Sequence, residues 1–442
     1  MDGDAHPAAR SRTGGIAVRR PVVGLFGAFD TGELGEVALR RVLENELTRR
    51  RPDIDVVALA PFGAERSVPG DEGRPARPLP HDGAAAGLGL DALIVAGDVL
   101  AGERAWAVRY PVAPDVIAER GVEELVLRGE HRGAPAAGTI AWFAVGMPEA
   151  DPEASVPQLS ARSVWARDAD TLERLGRAAL QSGDPLLLSG RVFAADTLRK
   201  RADLLRMCGA LPPGRRLVVE LSRHGDAGTA TGLGAALGTA LGADPRLVVI
   251  VVSLDPGAPG ETWPLHIEGL NAERLHHFPA WAGLDDVAAA LSGAAAVVAS
   301  SPAGAALASS FEVPVVAVAT ERRGRFDAAI PLLDGDLAAG IASLLASGKP
   351  PTTGEAVGRL EEALDALAAT LPSVSGTAEG APPEPPVSAL AVLQQRLADE
   401  RTALAAELSR LQAELDHMRA SPEHRIAKPV RDAYERWQKR RT

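Results

Sequence analysis

The feature that most constrains this chain is a pattern that occurs in two series: a short run of β-branched residues, then a longer stretch with apolar residues at helical spacing. Val22 to Phe26, Val56 to Ala60, Ala92 to Ala96, Thr139 to Ala144 and Ser163 to Ala166 form the first series. "RLVVELSR", "RLVVIVVSLD", "ERLHHFPAW", "AAAVVAS" and "VPVVAVAT" form the second. Such alternation predicts parallel sheets covered by helices, hence an α/β chain with two consecutive Rossmann-like domains. Open sheets of this kind hold ligands at the carboxyl ends of their strands, so a cleft between the two domains is expected. After Glu33, the residues Leu39, Val42, Leu43 and Leu47 share one helical face, and the helix should end near "RRRPD" because Pro52 disfavours helix in the residue before it.

The stretch between the series contains "LPPG" over 211–214, a boundary signal. The expected organisation is a flexible leader (1–20), an N-terminal Rossmann-like domain (21–210), a second Rossmann-like domain (211–370), a Pro/Gly-rich linker (371–388), a coiled-coil helix (389–420) and a basic tail (421–442). Leu390, Leu397, Leu404, Leu411 and Met418 repeat every seven residues, with Leu408 and Leu415 in the alternate core position. This spacing fits self-association or a partner helix, and equally a lone amphipathic helix folded back on the body. The tail, with Tyr434 and Trp437, reads either as a peripheral contact with an anionic membrane or as a solvated basic end.

Composition narrows the function classes. With 442 residues and a net charge of −11, the chain lacks the basic excess that tracks nucleic acid. Its single cysteine, Cys208, excludes a disulfide framework and a cysteine-rich zinc site. No apolar run has the ~20 residues of a bilayer span, and the leader has no signal-peptide core, so a cytoplasmic location is expected. His276 and His277 are neighbours on an expected strand and face opposite ways, so no metal site is expected. Asp168 and Asp170 in "ARDAD" imitate a metal-binding Asp-x-Asp, but Asp170 followed by Glu173 reads as a helix start with Asp170 as its cap.

The turn "GLFGAFDTGELGE" leads from the first strand into the first helix. No Lys-Ser/Thr pair follows Gly32, which excludes a nucleotide P-loop. The glycine spacing and the Ala60-Pro61 end of the second strand speak against a nicotinamide cofactor. Glu33 and Glu36 would repel an incoming phosphate, which suits the turn to sugar hydroxyls or to holding an acid or base. The alternative is structural: Asp30 caps the helix, and the loop glycines Gly27, Gly32 and Gly97 only permit tight turns.

With these stretches in order, the chain resembles the polysaccharide pyruvyl transferases. "GLFGAFDTGELGEVALRR" is similar to their opening turn, with Asp30, Gly32 and Glu33 at its Asn, Gly and Asp positions. "DALIVAGDVLAGE", "AWFAVGMPE", "SVWARDADTLERLG", "GDPLLL", "LVVELSR" and "AAAVVASSPAGAALASSFEVPVVAV" continue the likeness over roughly Val22 to Leu333. The resemblance implies a GT-B-like bilobal arrangement. It also implies transfer of pyruvyl from phosphoenolpyruvate, as donor substrate and without a cofactor, to a sugar of a cell-surface polysaccharide. Arg223 matches a family arginine expected to bind the donor. Where the family carries Arg-Leu-His, this chain has Ser301, Pro302 and Ala303, so Ser301 stands in a donor position without its charge. His224 is a candidate replacement imidazole beside Asp30 and Glu33 as catalytic groups. Arg322, Arg323 and Arg325 either supply phosphate contacts or are surface charges. A catalytically degenerate sugar-binding or scaffold protein, and a GT-B nucleotide-sugar glycosyltransferase, are the alternatives.

Overall fold

The computed structural model describes residues 19–63, 76–79, 89–99, 139–146, 163–176, 179–221, 227–254, 274–279, 282–318, 323–333 and 335–373. All lie within one compact unit, Met1–Val374. The leader before residue 19, the linker from residue 374, the coiled-coil helix, the basic tail, and Arg223, His224 and Arg322 fall outside the described residues.

Two parallel sheets carry the fold. The first contains β1 (Val22–Phe26), β2 (Asp55–Ala60), β3 (Arg77–Pro78), β4 (Ala92–Gly97), β5 (Thr139–Val145), β6 (Ser163–Ala166) and β7 (Leu180–Gln181), in the order 3-2-1-4-5-6-7. The second contains β8 (Arg215–Glu220), β9 (Leu247–Val252), β10 (Leu275–His277), β11 (Ala296–Ala299), β12 (Val315–Val318) and β13 (Leu332–Leu333), in the order 10-9-8-11-12-13. Each order is that of a Rossmann-like sheet, which reverses direction beside its first strand. In tandem they make the GT-B-like pair of α/β halves. The central strands β4, β9, β11 and β12 are buried along their whole length, as parallel strands covered on both faces must be.

The covering helices are α1 (Leu34–Arg50), α2 (Ala169–Leu175), α3 (Ala195–Met207), α4 (Ala227–Ala243), α5 (Leu284–Ser292), α6 (Pro302–Ser310), α7 (Leu337–Ser347) and α8 (Gly354–Thr370). α1 buries the expected face, Leu39, Val42, Leu43 and Leu47, and also Glu36, Arg40 and Glu46. Glu46 is buried where a second layer packs, because α8 crosses from the second half onto α1 and β5, whereas Glu36 is buried against Gly97 and Asp98 at the end of β4. Arg50 of α1 pairs with Glu361 and, at 2.7 Å, with Asp365 of α8. Arg51 donates to the carbonyls of Ala368 and Leu371 at 3.0 and 3.1 Å. Fully buried Glu46 receives Arg49, Arg50 and Arg191; burial opposes its charge, but these arginines hold its carboxyl below the usual range. Among the described residues no helix is long and apolar enough to cross a membrane.

Candidate functional site

The turn after β1 forms as its glycines require. Gly27 lies against the Phe29 ring and the Ala96 carbonyl, and Gly32 has φ 85°, where an L side chain is strained. Thr31 Oγ1 donates to the Ala28 carbonyl at 2.9 Å and accepts the Glu33 amide at 3.3 Å. Asp30 does not cap α1. Its carboxylate accepts the amides of Phe62 and Gly63, at 2.8 and 3.0 Å, because the turn aims it at the neighbouring end of β2. Glu33 is the N-cap residue and caps nothing with its side chain. The Leu34 amide, first of the helix, donates to the Leu254 carbonyl of the second half at 2.7 Å. The first amide of α1 is therefore satisfied by the backbone of the second half.

The ionisable groups converge one strand over. β4 ends at Gly97, whose φ is 87°, and the Asp98 amide donates to Glu36 Oε1 at 3.2 Å. The Gly146 amide, after β5, donates to the Gly97 carbonyl at 3.0 Å. Arg167, after β6, places Nη2 2.5 Å from Asp98 Oδ1. From the second half, Arg325 Nη2 lies 3.2 and 3.1 Å from the same two carboxylate oxygens. Arg325 is thus neither a surface charge nor exposed: its side chain is 6% accessible. Arg323 lies on the same 3-10 turn, Arg323–Arg325. Gly324 there lies against the Asp170 carboxylate of α2.

Asp168, not Asp170, caps α2, through the Thr171 amide at 2.8 Å; the helix begins two residues earlier than expected, which leaves Asp170 in its first turn. Asp184, after β7, accepts the Leu186 amide at 2.9 Å, with its other oxygen 4.0 Å from Arg167 Nε. Burial raises the Asp184 carboxyl to about 6; Arg167 and the Leu186 amide oppose the shift, and Asp98 and Asp168 add to it. Burial alone would lower Arg167, but Asp98, Asp184, Asp168 and Glu36 outweigh it and raise its pKa, so the guanidinium stays charged.

In the second half, β8 ends in buried Glu220. Its Oε2 accepts the amides of Ser300 and Ser301, at 3.1 and 3.0 Å, and its Oε1 accepts the Ser301 hydroxyl at 2.9 Å. Ser301 Oγ in turn accepts the Gly304 amide at 3.0 Å and caps α6. Ser301, which stands at an expected donor position, is therefore engaged within the protein. Glu220→Gln, which opposes an N–H to these donors, is expected to lose about 1–3 kcal/mol of stability, read as a lower urea midpoint at unchanged slope. A midpoint equal to wild type would refute this.

His276 and His277 lie on β10, one half-buried and one exposed, on opposite sides as expected. Among the described residues no group of His, Cys, Asp and Glu has a metal-holding arrangement. Asp98, Arg167, Asp184 and Glu220 are polar groups of the site that sequence reasoning did not single out, and it did not bring Glu36 and Arg325 together with them. Asp98, Arg167 and Glu220 shared one legible signal: a charged residue at or directly after the end of an apolar strand, as in "VAGD", "VWARD" and "LVVE".

No family model and no curated protein matches the chain. Among solved structures, the chain is similar to UDP-GlcNAc 2-epimerase from Neisseria meningitidis, solved bound to UDP-GlcNAc. The identity is 11% and the TM-score 0.46, covering 79% of this chain and 99% of that one. It is also similar to the Methanocaldococcus jannaschii UDP-GlcNAc 2-epimerase solved with UDP-GlcNAc and UDP, at 10% identity and TM-score 0.46, covering 78% and 99%. A third is the E. coli ADP-heptose lps heptosyltransferase II, at 12% identity and TM-score 0.38, covering 79% and 98%. Likeness at this identity carries no substrate from one protein to another.

Proposed function

We propose that this chain is a polysaccharide pyruvyl transferase-like protein that takes phosphoenolpyruvate as donor and a sugar of a cell-surface polysaccharide as acceptor. The observation that carries the reading is convergence. The stretches that resemble the family are spread over more than a hundred residues, yet Glu36, Gly97, Asp98, Gly146 and Arg167 meet at the carboxyl end of one sheet, where Arg325 of the second half joins them. The chemistry needs cations for the donor's carboxylate and phosphate, a proton for its methylene carbon, and a base near the acceptor hydroxyls. The edge holds two buried guanidinium groups and a carboxyl, Asp184, that keeps its proton to about pH 6. In this reading Asp30 and Glu33, on the turn after β1, are the acceptor-side carboxylates, with Asp30 held at the end of β2.

A second reading, a catalytically degenerate sugar-binding or scaffold protein, is favoured by Glu220. Its carboxylate fills the start of α6, beside the Ser301 and Ala303 that replace the family's arginine and histidine.

Calorimetric titration of phosphoenolpyruvate, with Arg223→Ala as control, tests the first reading, followed by an assay for phosphate release with glycan acceptors. The expected result is binding lost in the control, and a stabilisation of about 2.7 kcal/mol at a hundredfold excess over Kd. Binding without turnover on any acceptor would favour the degenerate reading. Binding of a nucleotide sugar, and none of phosphoenolpyruvate, would overturn the first reading in favour of a nucleotide-sugar glycosyltransferase.

A further inference from the structure

We infer that Arg325 is the second half's anion-binding residue, and that Asp98 holds the place of a small carboxylate ligand between Arg325 and Arg167. This rests on the proposed function and names the subsite for the donor's carboxylate.

Two guanidinium groups, one from each half, converge on the single carboxylate of Asp98: Arg167 at 2.5 Å, Arg325 at 3.1 and 3.2 Å. Both side chains are at least nine-tenths buried, and both come from segments that follow a strand's carboxyl end. Paired arginines on one carboxylate are the arrangement by which proteins recognise a carboxylate ligand, since each planar fork supplies directed donors. The start of α6, the alternative place for an anion in the second half, is already filled by Glu220. Ser301 brings no charge there, so the cation missing from that position is supplied from the next loop by Arg325.

The charge balance selects the ligand. Glu36, Asp98, Asp168 and Asp184 surround Arg167, and Asp170 lies against the Arg325 turn, so the cluster is already rich in carboxylates. An added anion would be repelled, whereas an exchange of one carboxylate for another leaves the charge unchanged. A ligand carboxylate that enters as Asp98 withdraws therefore fits this site. A free phosphate dianion does not.

Three proteins test this: wild type, Asp98→Asn and Arg325→Gln, each titrated with phosphoenolpyruvate, pyruvate and inorganic phosphate by calorimetry. Circular dichroism confirms folding, and Arg325→Lys is the fallback should Arg325→Gln not fold. Asp98→Asn weakens the competitor and is expected to bind phosphoenolpyruvate and pyruvate about tenfold more tightly, with inorganic phosphate unchanged. Arg325→Gln is expected to weaken both carboxylates about tenfold or more, and Arg325→Lys by less, because it keeps the charge without the fork. Unchanged affinity in Arg325→Gln, or in Arg325→Lys if only that variant folds, or weaker binding in Asp98→Asn, overturns the inference and leaves the pyruvyl transferase reading standing. Pyruvate bound through Arg325, with phosphoenolpyruvate excluded, supports the subsite and overturns that reading. Absence of any carboxylate binding in wild type and Asp98→Asn overturns the subsite.

Discussion

Arg167→Met is expected to cost about 3–5 kcal/mol of folding stability, since removing one partner of a buried charged cluster leaves the rest uncompensated. Methionine keeps much of the side chain's length and removes the charge that faces Asp98 at 2.5 Å, Asp168 at 3.6 Å and Asp184 at 4.0 Å. Arg325 remains on Asp98, and one oxygen of Asp168 is buried without a hydrogen-bond donor among the described residues. The defect should depend on pH. Burial raises Asp184 from 3.8 to about 6, so the folded state holds this proton more tightly than the unfolded chain. Its stabilising contribution is complete below pH 3.8 and is lost as pH rises through about 6. Arg167 restrains that shift; without it the carboxyl rises further and the charged form costs more. Urea unfolding of Arg167→Met should therefore show a larger loss at pH 8 than at pH 5, and Asp184→Asn, which can still accept the Leu186 amide, should recover part of it. A loss under about 1 kcal/mol at pH 8 would place the cluster among ordinary surface pairs and count against its role in the site.

Gly97→Ala should be the most damaging single-carbon change at this edge. The backbone there has φ 87°, which costs an L residue about 1–2 kcal/mol. The new Cβ would also meet the Glu36 carboxylate and lie 3.1 Å from Leu39 Cδ2. Glu36 would have to leave the Asp98 amide that it accepts at 3.2 Å, a partly buried hydrogen bond whose loss costs about 1–3 kcal/mol. Together these predict a loss of about 2–5 kcal/mol. The double variant Gly97→Ala/Glu36→Ala separates the causes: if the collision dominates, the two losses will be less than additive. Full additivity would assign the effect to backbone strain alone.

The strands were the most legible part of the chain. Val22–Phe26 and Ser163–Ala166 match the expected runs, and β2, β4 and β5 differ from expectation by one residue at an end. Three strands, Arg77–Pro78, Leu180–Gln181 and Leu332–Leu333, left no trace, because a two-residue edge strand has no periodicity and is defined only by the neighbour it pairs with. Helix starts were less legible than helix faces. Asp30 and Asp170 were both read as caps, yet in each case the partner depends on backbone geometry at single-residue precision. Of the site residues expected from the sequence, Asp30, Glu33, Ser301, Arg323 and the glycines have described positions, and the structure gives Asp30 and Ser301 partners that spacing could not name.

The amino-acid sequence by itself determined the class of the fold, because burial on both faces of a parallel sheet is written as local apolar runs, and helical faces as local spacing. It also determined that polar groups stand at strand ends. Which of those ends become neighbours was decided only by the tertiary structure. The crossover connections put β1 between β2 and β4, and β8 between β9 and β11. That order brings Asp30 to the end of β2, Glu36 to Asp98 and Glu220 to Ser301. Packing of the second half against the edge of the first brings Arg325 to Asp98, 227 residues away in sequence. No local pattern encodes such a pairing, because its free energy depends on the burial and mutual distance of groups that only the assembled sheets hold together.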